Sequence, residues 1–150
     1  MLPTTYRKLI ATTFINNFRQ ASEIVEVPLK LPTGHELTIR NHYAGVNATD
    51  VNISAGLYTP GATPPLDLGA ELIGEVVAVG EKVTDYKVGD TVVSTSIGGY
   101  ADYVTVRSRF VIPVPEASPE VLALVASGVT AALGLNTVGE MRTGETVLVT

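Results

Sequence analysis

The residues of this chain best arranged for chemistry lie in 44–58, AGVNATDVNISAGLY. The stretch has the look of a short helix entered from a strand. It offers two asparagines, one aspartate and a tyrosine, and no cysteine, histidine or glutamate. The Asn47 amide can donate to a carbonyl or hydroxyl oxygen and accept from a hydroxyl, so it can position a ligand without ionising. Asp50 follows at i+3 on the same helical face, where its carboxylate serves either a ligand or the helix cap and nearby backbone. Tyr58, after Gly56-Leu57, either lines a substrate mouth or packs a turn. None of these groups is the thiolate or imidazole that a catalytic zinc needs.

Outside that stretch, few residues compete. Thr130, in the run SGVT at 127–130, is a hydroxyl at a helix start that either meets a ligand or bonds back to its own helix. His35 sits in a turn and His42 on a strand face among polar residues, so both read as surface groups rather than ligands or bases. Gly89-Asp90 is turn chemistry, and Asp90 reads as structural.

The elements that must carry these residues are mainly strands joined by Gly/Pro turns up to about residue 110. Residues 6–11 and 24–27 are short apolar runs, the second closed by Pro28. KLPTGHE at 30–36 is a turn, and ELTIRNHY at 36–43 alternates, with Leu37 and Ile39 facing one way. ELIGEVVAV at 71–79 is apolar and β-branched throughout, which predicts cover on both faces. Gly74 within it points to a bulge or a close backbone approach. A turn-rich link, EKVTDYKVGD, leads to a strand at 91–94, and GGYADYVTV at 98–106 predicts another, opened by its glycines. Ser118-Pro119-Glu120 is a helix start: a capping hydroxyl, proline at the first helical position and an acid in the first turn. Ser127-Gly128 predicts a second cap and a second helix over about 129–137. TVLVT at 146–150 predicts a strand like those that begin a parallel α/β unit, so the chain reads as the front part of a longer protein.

With 150 residues, 45% of them hydrophobic and 17% charged, the chain can bury one core and is not disordered. Its net charge of −5, with scattered basic residues, argues against a nucleic-acid partner. No apolar run approaches the ~20 residues of a membrane span, so no membrane partner is expected. There is no cysteine, which excludes disulfides, iron–sulfur clusters and thiolate zinc sites. The opening MLPTTYRKLIATTF is unlike a secretory signal, and an intracellular location, cytoplasmic or peroxisomal, is expected.

Four blocks in this order resemble the medium-chain dehydrogenase/reductase superfamily: AGVNATDVNISAG, LGAELIGEVVAVGEKVTDYKVGDTVV, GGYADYVTV and SGVTAALGL. The opening YRKLIATTFINNFRQA and the run RNHYAGVNATDVNISAGLY are most similar to its zinc-independent, prostaglandin-reductase branch. The resemblance implies a mainly β fold with short helices: a GroES-like, partly open β-barrel over 1–117. Residues 118–150 would then hold connecting helices and the first strand of a Rossmann cofactor domain. In zinc-dependent members the positions of Asn47 and Ala70 hold cysteine and histidine, so this pattern implies catalysis without zinc.

By the same resemblance, Asn47 and Thr130 are implied at the nicotinamide end of NADPH, with Ala132 leaving space where relatives carry tyrosine. Asn52 and Tyr58 are implied at the substrate, and Asn47 or Tyr58 as the donor to an enolate oxygen. The reaction implied is NADPH-dependent reduction of an α,β-unsaturated carbonyl, an enone or oxo-lipid of the 15-oxo-prostaglandin type. The phosphate-binding loop would follow residue 150, so the 150 residues alone are expected to bind cofactor weakly and to be inactive. A homodimer through the further domain is a possible assembly. Two alternatives stand beside this reading: a quinone oxidoreductase, and a non-catalytic GroES-like binding or assembly module.

Overall fold

The computed structural model describes residues 1–58 and 60–149. Among the described residues, eight strands form two antiparallel sheets. The smaller sheet has the order β2-β1-β4, from β1 (Thr5–Ala11), β2 (Ser22–Pro28) and β4 (Leu66–Asp67). The larger has the order β7-β3-β5-β6-β8. Its strands are β3 (Glu36–Ala44), β5 (Leu72–Val79), β6 (Thr91–Ser94), β7 (Tyr103–Arg107) and β8 (Val111–Pro113). The larger sheet curls into a partly open barrel whose end strands are β7 and β8. Helices α1 (Phe18–Ala21) and α2 (Ala48–Ser54) are short. Mainly β with short helices is what the strand-rich pattern implied.

The barrel closes on alternate side chains. Leu37 and Ile39 of β3 meet Leu72 and Val76 of β5, Val92 of β6, and Val104 and Val106 of β7 in one buried cluster. The expected double cover of β5 is present: Ile73 points the other way and packs with Val93 and Leu122. Thr38, on the opposite face from Leu37, is also buried, because its hydroxyl pairs with that of Thr105 across the strands at 2.9 Å.

Gly74 faces the irregularity of its partner strand. The register runs Asn41↔Gly74 and then Tyr43↔Ile73, so His42 is extruded as a bulge on β3. A Cβ on Gly74 would overlap the Arg40 carbonyl and lie 2.8 Å from Ile39 Cγ2. The close approach predicted at this glycine is therefore real, and the bulge belongs to the neighbouring strand. Asn41 uses the same distortion: its Nδ2 donates to the carbonyls of Gly99 and Ala101, both at 2.7 Å.

Three expectations need correction. The strand predicted to open at Gly98 begins only at Tyr103. The Gly98 and Gly99 amides turn inward, both donating to the Gly69 carbonyl at 3.0 Å, and the Tyr100 amide donates to Leu68 at 2.9 Å. Ser127-Gly128 does not divide the helix. One helix, α3, runs Pro119–Val138, and Gly128 passes through it with φ −67° and ψ −45°. Its backbone widens into π turns at Leu124–Gly128 and Leu133–Val138. The interruption is a change of hydrogen-bond register rather than a cap. The strand predicted over 146–150 is not formed at 146–149, since an extended run becomes a strand only by pairing. Thr150 lies outside the described residues.

The start of α3 matches its sequence signals, with Ser118 Oγ accepting the Val121 amide at 3.3 Å and Pro119 in the first turn. Val121, Leu122 and Val125 seat the helix on the barrel. Its outer face leaves Leu124, Val129, Leu133 and Val138 exposed. By length and composition alone this 20-residue helix could cross a membrane, which corrects the statement that no run of that kind exists. Gly128, at its middle, hides this length from the sequence pattern.

Replacing Gly74 by alanine should destabilise the protein by about 1–3 kcal/mol, because the methyl meets backbone that cannot rotate away. A urea melt compared with an alanine substitution at Gly34, where an added Cβ meets open space and the only penalty is the positive φ, measures the difference.

Candidate active site

β3 delivers the chain through Gly45 and Val46 to Asn47, the N-cap of α2, whose backbone is extended at φ −127° and ψ 157°. Asp50, three residues on, is almost fully buried. Its Oδ2 accepts the Asn47 amide at 2.8 Å, and its Oδ1 accepts the Ala70 amide at 2.9 Å. The Tyr100 hydroxyl reaches Asp50 Oδ2 at 2.9 Å and the Gly45 carbonyl at 3.1 Å. Burial, and then the Asp50 carboxylate beside it, push the Tyr100 phenol well above its ordinary range, so it stays protonated and donates. Of the two roles open to Asp50, the geometry supports the structural one: every contact it makes is to groups that shape the backbone.

Asn47 and Asp50 form a capping box at the head of α2, but the side-chain amide nitrogen of Asn47 takes no part in it. That nitrogen, Nδ2, donates instead to Glu71 Oε1 at 2.9 Å, and Glu71 Oε2 accepts the Ala126 amide of α3 at 3.3 Å. Glu71 is buried at the head of β5. A cleft of about 560 Å³ lies in front of this pair, between the barrel and α3. The barrel side supplies Asn47, Thr49, Ala70 and Thr95; the helix supplies Ala126, Ser127, Thr130 and Ala131. No ionisable side chain among the described residues lines it. Among the described residues no group of three His, Asp or Glu could hold a metal ion.

Asn47 and Thr130 are thus brought to one cleft. Thr130 Oγ donates back to the Ala126 carbonyl at 2.6 Å, so its hydroxyl hydrogen is committed and its lone pairs remain as acceptors. Asn52 and Tyr58 do not line this cleft. Asn52 is half-buried on another face of α2, and Tyr58 is 59% exposed in the turn beyond it. Ala132 also falls outside it, its neighbour Ala131 taking the place. His35 and His42 are exposed, as expected, and Asp90 Oδ2 accepts the Lys87 amide at 2.9 Å in its turn. Glu71 and Tyr100 were not singled out from the sequence. An acid at the head of an otherwise apolar strand was the available signal for the first; nothing local distinguishes the second.

The neutral donor set fits the uncharged ring and carboxamide of a nicotinamide. It does not fit a diphosphate, which calls for cationic groups or free amides. Replacing Asp50 by asparagine turns an amide hydrogen toward donors that need an acceptor, and should cost about 3 kcal/mol; Tyr100→Phe should cost about 1 kcal/mol. Chemical denaturation of both variants checks the order.

Comparison with known proteins identifies the family. Residues 33–116, more than half of the chain, match the alcohol dehydrogenase GroES-like domain. Prostaglandin reductase-3 of Mus musculus is 42% identical over 151 residues, covering 99% of this chain and 40% of that protein. A probable quinone oxidoreductase of Leishmania amazonensis is 38% identical over 150 residues, covering 99% of this chain and 44% of that one. The crystal structure of Escherichia coli quinone oxidoreductase complexed with NADPH superposes with a TM-score of 0.77 at 26% identity, covering 88% of this chain and 41% of that one. The chain spans about two fifths of the length of these curated relatives. Barrel and relatives agree, and the chain belongs to the alcohol dehydrogenase GroES-like domain family, within the medium-chain dehydrogenase/reductase superfamily.

Proposed function

We propose that the protein carrying this chain is a zinc-independent, NADPH-dependent reductase of α,β-unsaturated carbonyls, with oxo-lipids of the 15-oxo-prostaglandin type as the substrate class. The observation that carries this reading is the cleft between Asn47 and Thr130, walled by hydroxyls, methyls and one amide. Such a wall suits a neutral ring and an apolar enone better than a charged substrate. Residues 1–117 act as the catalytic domain, and 118–150 lead toward a cofactor-binding domain.

When bound, NADPH supplies the hydride that adds to the β-carbon of the alkene. The π electrons of the alkene shift into the bond between the α-carbon and the carbonyl carbon, and those of the carbonyl move onto its oxygen. The resulting enolate takes a proton from bulk solvent at its α-carbon after the hydride step. The chain's own part is orientation and exclusion of water. Asn47 holds the nicotinamide end from the barrel side, and Thr130 accepts from its carboxamide with the lone pairs left by its back-bond. The enolate oxygen needs a neutral donor. Asn47, through its second Nδ2 hydrogen, is the candidate within the cleft, while Asn52 and Tyr58, which do not line it, are left to a substrate tail that extends beyond it.

A quinone oxidoreductase is the second reading, favoured by the 38% identity to a relative of that name. The two separate in one assay. The intact protein should oxidise NADPH with an enone faster than with a quinone, unaffected by a metal chelator. Asn47→Ala should lower kcat/KM for the enone by about 100-fold. Turnover confined to quinones would transfer the assignment to the second reading, and no turnover with either would leave a binding or assembly module.

A further inference from the structure

Glu71 has no part in the reaction as written, yet it is buried against the one amide that faces the cleft. Both of its carboxylate oxygens are used, Oε1 by Asn47 Nδ2 at 2.9 Å and Oε2 by the Ala126 amide at 3.3 Å. A carboxylate accepts and never donates, so Asn47 cannot flip: its carbonyl oxygen in place of Nδ2 would set two acceptors face to face. Ala126 lies within the π turn at Leu124–Gly128, where the helix changes its hydrogen-bond register. One anion therefore spans both walls of the cleft, the barrel at Asn47 and the helix at Ala126.

The space for that anion depends on Gly45. A Cβ there would overlap Glu71 Oε1 and lie 2.6 Å from Glu71 Cγ, so any larger residue must push the carboxylate aside. We propose that Glu71 is a positioning residue: its carboxylate, in the space left by Gly45, locks the Asn47 amide in one orientation and ties it to α3. This rests on the reading of Asn47 as the ligand-facing group. Glutamine at position 71 keeps the shape but offers only one acceptor for two donors, so one contact must fail.

The test has a spectroscopic arm that needs no turnover. In the intact protein without ligand, the side-chain amide pair of Asn47 is assigned in a nitrogen-edited NMR spectrum by its loss in Asn47→Ala. One of its hydrogens should lie downfield of those of exposed asparagines and exchange slowly. Glu71→Gln and Gly45→Ala should each return it to the exposed values. An unchanged pair in a folded variant overturns the proposal, and Gly45→Ala keeps the test open if Glu71→Gln does not fold. The kinetic arm reads coupling. Glu71→Gln should lower kcat/KM by about 10–100-fold, as removal of an outer partner of an active group does. Combined with Asn47→Ala it should add nothing further; fully additive losses overturn it. If neither enone nor quinone is turned over, the functional reading fails while the NMR arm still decides the role of Glu71.

Discussion

The buried carboxylate of Asp50 is the constraint on which the site depends. Three segments distant in sequence bring it a hydrogen: the entry to α2 at Asn47, the approach to β5 at Ala70, and the loop before β7 through Tyr100. An ionised group this deep is tolerable only when its oxygens are satisfied, and here they accept three donors. In return the geometry of Asn47 is set, since its backbone amide is one of those donors. The helix that carries the candidate chemistry is only seven residues long. It could not hold its own shape without such a tie.

Around this anchor the molecule divides its work by element. The barrel interior is sealed by aliphatic side chains from all five strands of the larger sheet, and none of them lines the cleft. Polar groups that do reach it come from strand ends, a helix cap and the inner face of α3. Rigid strands thus determine where the groups sit, and the loops between them determine which groups those are. A buried acid behind the cleft, with neutral groups in front, keeps charge out of contact with a ligand while still orienting the amide it meets.

Much of the barrel could be read from local pattern. The alternation at Leu37 and Ile39, the double-faced apolar run from Leu72, and the Ser118-Pro119 helix start all express rules that act over a few residues. Where reading went astray, a distant partner had overridden a local signal. The glycines at 98 and 99 look like a strand opening, but they fold inward onto the Gly69 carbonyl. Gly128 resembles a helix end, yet the helix continues because its first turns are held on Ile73 and Val93.

The sequence carried the fold family through its resemblance to a known superfamily, and its residue types alone set the neutral character of the candidate groups. It named Asn47 and Thr130, and it left Asp50 between two roles. The tertiary structure decided that choice, brought Glu71 to Asn47 and Ala126 from opposite sides, and left Asn52 and Tyr58 away from the cleft. Those outcomes turn on contacts between residues 20 to 55 positions apart. Hydrogen bonds over such distances leave no period in the chain, since each depends on where folding places its second partner.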